Sequence, residues 1–168
     1  MVLFEICSNT RQWSRFTDFY IEHRTQIISD YQLSHALTDV RNYMMHGRGA
    51  ILKDGRDLVI GIGSFVLGTE ENRFQDKEIA TLGNCYFTED YRNNRTFLRG
   101  LQVLADQIQD ANRDVRVVRI PTAADNDYTN RLYQKLATRQ YSLDTCYGTY
   151  HVYSTPFSEF ASYCNRFR

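Results

Sequence analysis

A chain of 168 residues is long enough for one domain, residues 1–168, that buries roughly two-thirds of its unfolded surface. Its 20 Lys and Arg balance 20 Asp and Glu, and a net charge of zero removes any global electrostatic argument for nucleic acid or an anionic membrane. Cys7, Cys85, Cys146 and Cys164 lie far apart, without ligand spacing to the four histidines, which argues against a zinc site and a disulfide framework and fits reduced thiols in a cytosol.

Residues 2–7 read as a first strand, closed by Ser8, Asn9 and Thr10 as helix N-cap candidates. Trp13, Phe16, Tyr20 and His23 then recur at intervals of three and four, an aromatic stripe on one helix face. A second helix follows on the same period, carrying Leu33, Ala36, Leu37, Val40, Tyr43 and Met44. Residues 49–53 and 57–67 read as a hairpin around Asp54-Gly55, where glycine would supply the positive φ of a primed turn. The polar segment 68–77 reads as a second hairpin loop. The opening residues show no signal-peptide pattern, and no stretch approaches the ~18 apolar residues of a membrane span, so the expected location is cytoplasmic.

The most informative order lies between residues 78 and 139. Residues 78–87 (EIATLGNCYF) form a strand, 91–95 (YRNNR) a basic turn, and 96–111 an amphipathic helix with Phe97, Leu98, Leu101, Leu104, Ala105 and Ile108 on one side. Residues 115–120 (VRVVRI) make the next strand, which a right-handed crossover places parallel to the first, and Pro121 ends it. Such a unit aims helix N-terminal amides at the space beyond the strand end, where anions bind. Cations at a helix N-terminus are unfavourable unless an anion is present, so Arg92 and Arg95 point the same way. Asp125 or Asn126 caps a further helix with Thr129, Leu132, Tyr133 and Leu136; residues 142–155, rich in Tyr, Thr and Val around Gly148, form a closing hairpin; residues 156–168 form a short terminal helix. The sum is an α+β protein with a mixed, mostly antiparallel sheet containing one parallel pair, flanked by helices.

This order resembles the GNAT N-acetyltransferase superfamily over nearly the whole chain. The run CYFTEDYRNNRTFL, residues 85–98, is similar to that family's strand end and pyrophosphate loop, with Arg95 and Phe97 standing where two glycines are usual. The run DNDYTNRLYQKL, residues 125–136, is similar to its second signature, with Asn126, Leu132, Tyr133, Lys135 and Leu136 in register.

The resemblance implies that the parallel strands splay apart. Acetyl-CoA, as acyl donor, would be held by Cys85, Tyr86, Phe87, Arg92, Asn93, Asn94, Arg95, Thr96, Phe97 and Asn126. It further implies direct attack by an amine acceptor, small molecule or protein, in a ternary complex, with Tyr133 protonating the departing thiolate. The base stays unassigned: Glu78 is the only acid on the central strand and has the opposite alternation parity to Thr81. The acceptor side is expected to gather Tyr43, His46, Tyr147, Tyr150, His151 and Tyr153, with no dense carboxylate patch. The missing glycines keep a catalytically inactive binding module as the alternative. A nucleic-acid surface of Arg92, Arg95, Arg99, Arg113 and Arg116 is disfavoured by neutral charge. No metal and no membrane are expected, and a homodimer is compatible with the sequence.

Overall fold

The computed structural model describes residues 1–166. Strand β1 (Leu3–Ile6) leads to α1 (Thr10–Glu22), capped by the Asn9 side chain accepting from the Gln12 amide at 2.9 Å. A single turn, α2 (Arg24–Ile27), not foreseen in the sequence, precedes α3 (Leu33–His46). Strands β2 (Gly47–Lys53) and β3 (Val59–Leu67) form the first hairpin. Then come β4 (Ile79–Leu82), β5 (Tyr86–Phe87), α4 (Asn94–Ala111), β6 (Val117–Ala123), α5 (Asp127–Gln134), the closing hairpin β7 (Thr138–Thr145) and β8 (Gly148–Pro156), and α6 (Phe157–Asn165). Of the terminal helix expected over 156–168, the last two positions lie outside the described residues.

The strands make one sheet in the order β1-β2-β3-β4-β6-β8-β7, with β5 continuing along β3 beyond β4. Every neighbouring pair is antiparallel except β4 and β6. Helix α4 buries Phe97, Leu101, Leu104, Ala105 and Ile108, a stripe at 3.6-residue spacing, against one sheet face together with α5 and α6. Each buried Leu or Phe contributes about 1.5–3 kcal/mol, enough to hold the helix at a fixed angle over the strands. Helices α1 and α3 cover the other face with Phe16, Phe19, Tyr20, Ala36, Val40 and Tyr43.

Four sequence expectations shift. The α3 stripe is rotated: Leu33, Leu37 and Met44 are 47%, 45% and 50% exposed, while Ala36, Val40 and Tyr43 are buried. In the first hairpin the left-handed residue is Asp57 (φ 65°), not Gly55; Asp54 Oδ1 accepts from the amides of Arg56 and Leu58 and organises a longer loop. Residues 78–87 do not form one strand but break between β4 and β5. Finally, Pro121 does not end β6, which runs on to Ala123 in register with β8.

Candidate active site

The last two corrections describe one feature, a wedge in the sheet. The parallel ladder begins where the Glu78 carbonyl accepts from the Val117 amide at 3.2 Å, and its pairing ends at Thr81 with Arg119. Parallel rungs repeat every second residue, so the next would join the Leu82 carbonyl to the N–H of residue 121. Residue 121 is proline and has no N–H, so the ladder stops there while the other edge of β6 stays paired to β8.

On the facing side, β4 swerves. Three residues, Gly83 to Cys85, stand between Leu82 and Tyr86, against two on β3 between Phe65 and Ile62, which is a bulge of one residue. The bulge needs glycine at its first position. The Gly83 amide donates to the Ser64 carbonyl at 2.8 Å, and a Cβ there would lie 2.2 Å from Ser64 Oγ and 2.6 Å from the Tyr43 ring. Asn84 is clamped from the α1/α3 side: its amide donates to the Tyr43 hydroxyl at 3.2 Å and its Nδ2 to the Tyr20 hydroxyl at 2.9 Å.

On the α4 face, the wedge opens to an apolar cavity of about 30 Å³ lined by Leu82, Gly83, Cys85, Phe87, Phe97 and Tyr133, among others. Tyr133 is 5% exposed, packs 6.1 Å from both the Phe97 and Tyr153 rings, and points its hydroxyl at Cys85. Burial first, and the Cys85 thiol beside it, push the Tyr133 phenol well above its ordinary pKa, so it holds its proton. Burial likewise pushes the Cys85 thiol up to about 11, leaving it a neutral thiol at physiological pH.

Above the cavity stands the N-terminus of α4. Asn93 Oδ1 accepts from the Thr96 amide at 2.9 Å and the Asn93 carbonyl from the Phe97 amide at 3.0 Å. Among the described residues, no acceptor meets the amides of Asn94 and Arg95, so these two donors point out along the helix axis. No residue from 92 to 97 has positive φ, and the positions of the missing glycines therefore carry no backbone strain. The Arg95 side chain is exposed, whereas Phe97 turns inward against Phe87 at 6.4 Å.

Arg92 behaves otherwise: its Nε donates to the Phe87 carbonyl at 2.7 Å, Nη2 to the Tyr86 hydroxyl at 2.5 Å, and the guanidinium covers the Tyr86 ring. Asn126 caps α5 by accepting from the Thr129 amide at 3.1 Å. The Tyr128 hydroxyl donates to Asn94 Oδ1 at 2.6 Å and ties the starts of α4 and α5 together, a contact that no sequence pattern announced.

On the opposite face lies a larger pocket of about 400 Å³. It shares Leu82 and Gly83 with the small cavity, so the two spaces meet at the bulge from opposite sides of the sheet. Tyr43, Tyr147 and Tyr150 line it as expected. His46 does not, but stacks at 3.8 Å on Phe74, which does. Tyr153 faces the other core, its hydroxyl donating to Asn130 at 2.8 Å, and His151 bonds with Ser142 at 2.6 Å outside the pocket.

Three carboxylates line this space as well, Asp39 from α3 and the adjacent Glu70 and Glu71 from the loop after β3. Asp39 is half-buried; its carboxyl pKa is raised by burial and by Glu70, against a hydrogen bond from the Tyr31 hydroxyl that lowers it. Tyr31 in turn bonds Tyr20 at 2.9 Å, completing a chain from Asp39 through two phenols to Asn84 in the bulge. Glu78 is exposed at the start of the ladder and takes no part.

Loop 68–77, which brings Glu70, Glu71 and Phe74 to the rim, is pinned by Asp76, whose carboxylate accepts from the Thr69 amide and hydroxyl, both at 2.7 Å, and from Asn72 Nδ2 at 2.9 Å. At the opposite rim, the two-residue turn Cys146-Tyr147 relies on Gly148 at φ +107°. Tyr147 reaches back from it, accepting from the Gln32 amide at 3.1 Å and bonding His35.

Among the described residues, no group of three His, Cys, Asp or Glu could hold a metal, and no helix is long and apolar enough to cross a membrane. No family model and no curated protein matches the chain. Solved structures do. An N-acetyltransferase from Staphylococcus aureus Mu50 superposes with a TM-score of 0.69 at 12% identity, over 94% of this chain and 99% of that one. The ribosomal-protein-S18-alanine N-acetyltransferase of Escherichia coli gives 0.65 at 18% identity, over 94% of each chain. An aminoglycoside N(6')-acetyltransferase from Legionella pneumophila gives 0.64 at 12% identity, over 96% and 95%. The chain has the GNAT fold.

Proposed function

We propose that the protein is an N-acetyltransferase that moves an acetyl group from acetyl-CoA to an amine acceptor by direct attack. The single observation behind this reading is the wedge: an open ladder with an anion-competent helix end on one face and a polar pocket on the other, meeting at Leu82 and Gly83. The unmatched Leu82 carbonyl and the backbone of Cys85 and Phe87, which alternates away from β3 while Tyr86 pairs with Ile62, offer hydrogen bonds to the amide-rich arm of coenzyme A, and the free Asn94 and Arg95 amides suit its diphosphate. Arg95 and Thr96 add a cation and a hydroxyl to that end, Asn93 fixes it by capping, Phe97 walls the cavity, and the Asn126 amide nitrogen remains for the cofactor after its oxygen has capped α5. Arg92 secures the end of β5.

Acetyl-CoA supplies an activated carbonyl when bound. Residues of the chain do the rest. Burial keeps Tyr133 protonated beside the wedge, the state in which a phenol can donate to a departing thiolate. Cys85 acts through its backbone, since its thiol is neutral. In the acceptor pocket Asp39, whose proton affinity burial increases, is the carboxylate suited to take the proton that an ammonium must lose before it attacks. Its phenol chain to Asn84 ties that base to the bulge.

Thermal unfolding with acetyl-CoA tests the binding half of the reading. Ligand at ~100 times its Kd adds about 2.7 kcal/mol, or roughly 5–10 °C for a domain of this size, and no shift at millimolar ligand would instead favour a fold that no longer transfers. Tyr133→Phe tests the chemistry: turnover falls about 10²-fold or more while acetyl-CoA affinity stays. Equal turnover removes Tyr133 from the mechanism.

A further inference from the structure

The one cation among the described residues lining the acceptor pocket has no role in this scheme. Arg119 sits on β6 at the last parallel rung, opposite Thr81, two residues before Pro121. Alternation along β6 sends Val118 and Ile120 into the α4 core and Arg119 and Pro121 into the acceptor pocket. Its Nε is buried, yet no acceptor meets it among the described residues. No carboxylate stands within 4 Å of its guanidinium among those residues either, although Asp39, Glu70 and Glu71 line the same pocket. Asp39 enters the pocket from α3 and Glu70 and Glu71 from loop 68–77, whereas Arg119 enters it from β6, so acids and guanidinium come from different elements.

A guanidinium nitrogen cut off from water without an acceptor is destabilising, and a planar fork of donors is suited to a carboxylate. Set beside the point where the acceptor amine must reach the wedge, Arg119 would repel a purely cationic acceptor. A pocket with acid on one side and an unpaired arginine on the other complements a dipolar molecule. We infer that the acceptor is a small zwitterionic amine of amino-acid type, whose carboxylate pairs with Arg119 while its amine is received on the Asp39 side. This rests on the acyl-transfer reading above and narrows it to one substrate class.

Matched pairs that differ only by the carboxylate test it without any variant. L-Lysine, L-alanine and L-phenylalanine are compared with cadaverine, ethylamine and phenylethylamine, reading coenzyme A release from acetyl-CoA. The carboxylated member of at least one pair is expected to be turned over about ten- to hundred-fold more efficiently, the range of a charge-assisted hydrogen bond. In Arg119→Gln the preference falls to about two-fold or less, with KM carrying the loss. Equal efficiency within every pair, or a preference that survives Arg119→Gln, overturns the inference.

Thermal shift with the same six compounds, without acyl donor, keeps the question answerable if no turnover is seen. Stabilisation by an amino acid but not by its paired amine, lost in Arg119→Gln, supports the pocket assignment even where acyl transfer fails. Absence of any such shift together with absence of turnover overturns it. Failure of acetyl-CoA itself to bind counts against the acyl-transfer reading alone.

Discussion

The two faces of the sheet are built from different chemistry. The face under α4, α5 and α6 is mainly aliphatic, with Leu82, Leu101, Leu104, Ile108, Val118 and Ile120 interlocked and few polar atoms to satisfy. The face under α1 and α3 buries Tyr20, Tyr31 and Tyr43 instead, and their hydroxyls must find partners, which they do in one another, in Asp39 and in Asn84. A dry core of branched side chains fixes the angle of α4 and hence the direction of its free amides. A core of linked phenols fixes the bulge and leaves a polar wall beside it. In the proposed transfer the faces divide the work: one would set the donor side of the wedge and the other the acceptor side.

The sharpest way to break this division is at Gly83, where the faces meet. Gly83→Val would drive side-chain atoms into Ser64 Oγ and the Tyr43 ring, 2.2 and 2.6 Å from the position of the first carbon. Overpacking of this kind costs about 1–3 kcal/mol, and urea denaturation should place the loss near the upper end because backbone on β3 flanks the site. Turnover should vanish with it, since the bulge cannot form. Gly63→Ala, one residue from Ser64, is the control: its added carbon meets Leu104 at an ordinary 3.7 Å, and stability should change by less than about 1 kcal/mol.

A smaller effect of opposite sign is expected at the other side of the wedge. Pro121→Ala supplies the missing N–H, allowing the Leu82 carbonyl one more rung. The net gain should be about 0.5–1.5 kcal/mol, the contribution of one internal hydrogen bond, less part of the unfolded-state entropy that proline had removed. Acetyl-CoA should bind about ten-fold more weakly, because the carbonyl it would use is taken. Raised melting temperature with undiminished affinity would show that the gap is held open by the bulge alone.

These sites also show what a linear reading can reach. The stripe on α4 was legible because one face is apolar and the other polar, so periodicity has a single solution. On α3 it has two, since Leu33, Leu37 and Met44 compete with Ala36, Val40 and Tyr43; the phenol network decides, and that network is tertiary. Pro121 was legible as an interruption, but a strand has two edges and the missing N–H affects only one. The bulge was hidden because its cause is the contact of Gly83 with residues 19 and 40 positions earlier, Ser64 and Tyr43. Asn126 was visible as the cap of α5. Asp39 and Arg119 were missed, although an acid in register with Ala36 and Tyr43, and an arginine alternating with Val118 and Ile120, are both departures from pattern that mark a polar wall.

The smallest expected effect lies farthest from the wedge, in the loop that carries Glu70, Glu71 and Phe74 to the acceptor rim. Burial acts to raise the Asp76 pKa, but hydrogen bonds from Asn72 and Thr69 outweigh it and bring the carboxyl to about 2, below its ordinary 3.8. A depressed carboxylate stabilises the fold when ionised, so its contribution is fully present above pH ~4 and is lost as pH falls through about 2. Asp76→Asn should therefore lower the melting temperature slightly at pH 7, by an amount that shrinks as pH falls through about 2. The thermal effect is small because the carboxylate is only part-buried at the loop surface, where solvent screens it. The functional effect should fall on the acceptor: a raised KM for the amine with unchanged acetyl-CoA affinity, since only the phenol-lined face loses a wall. If donor affinity dropped equally, loop 68–77 would be supporting the whole wedge, and the separation of the two faces would not hold.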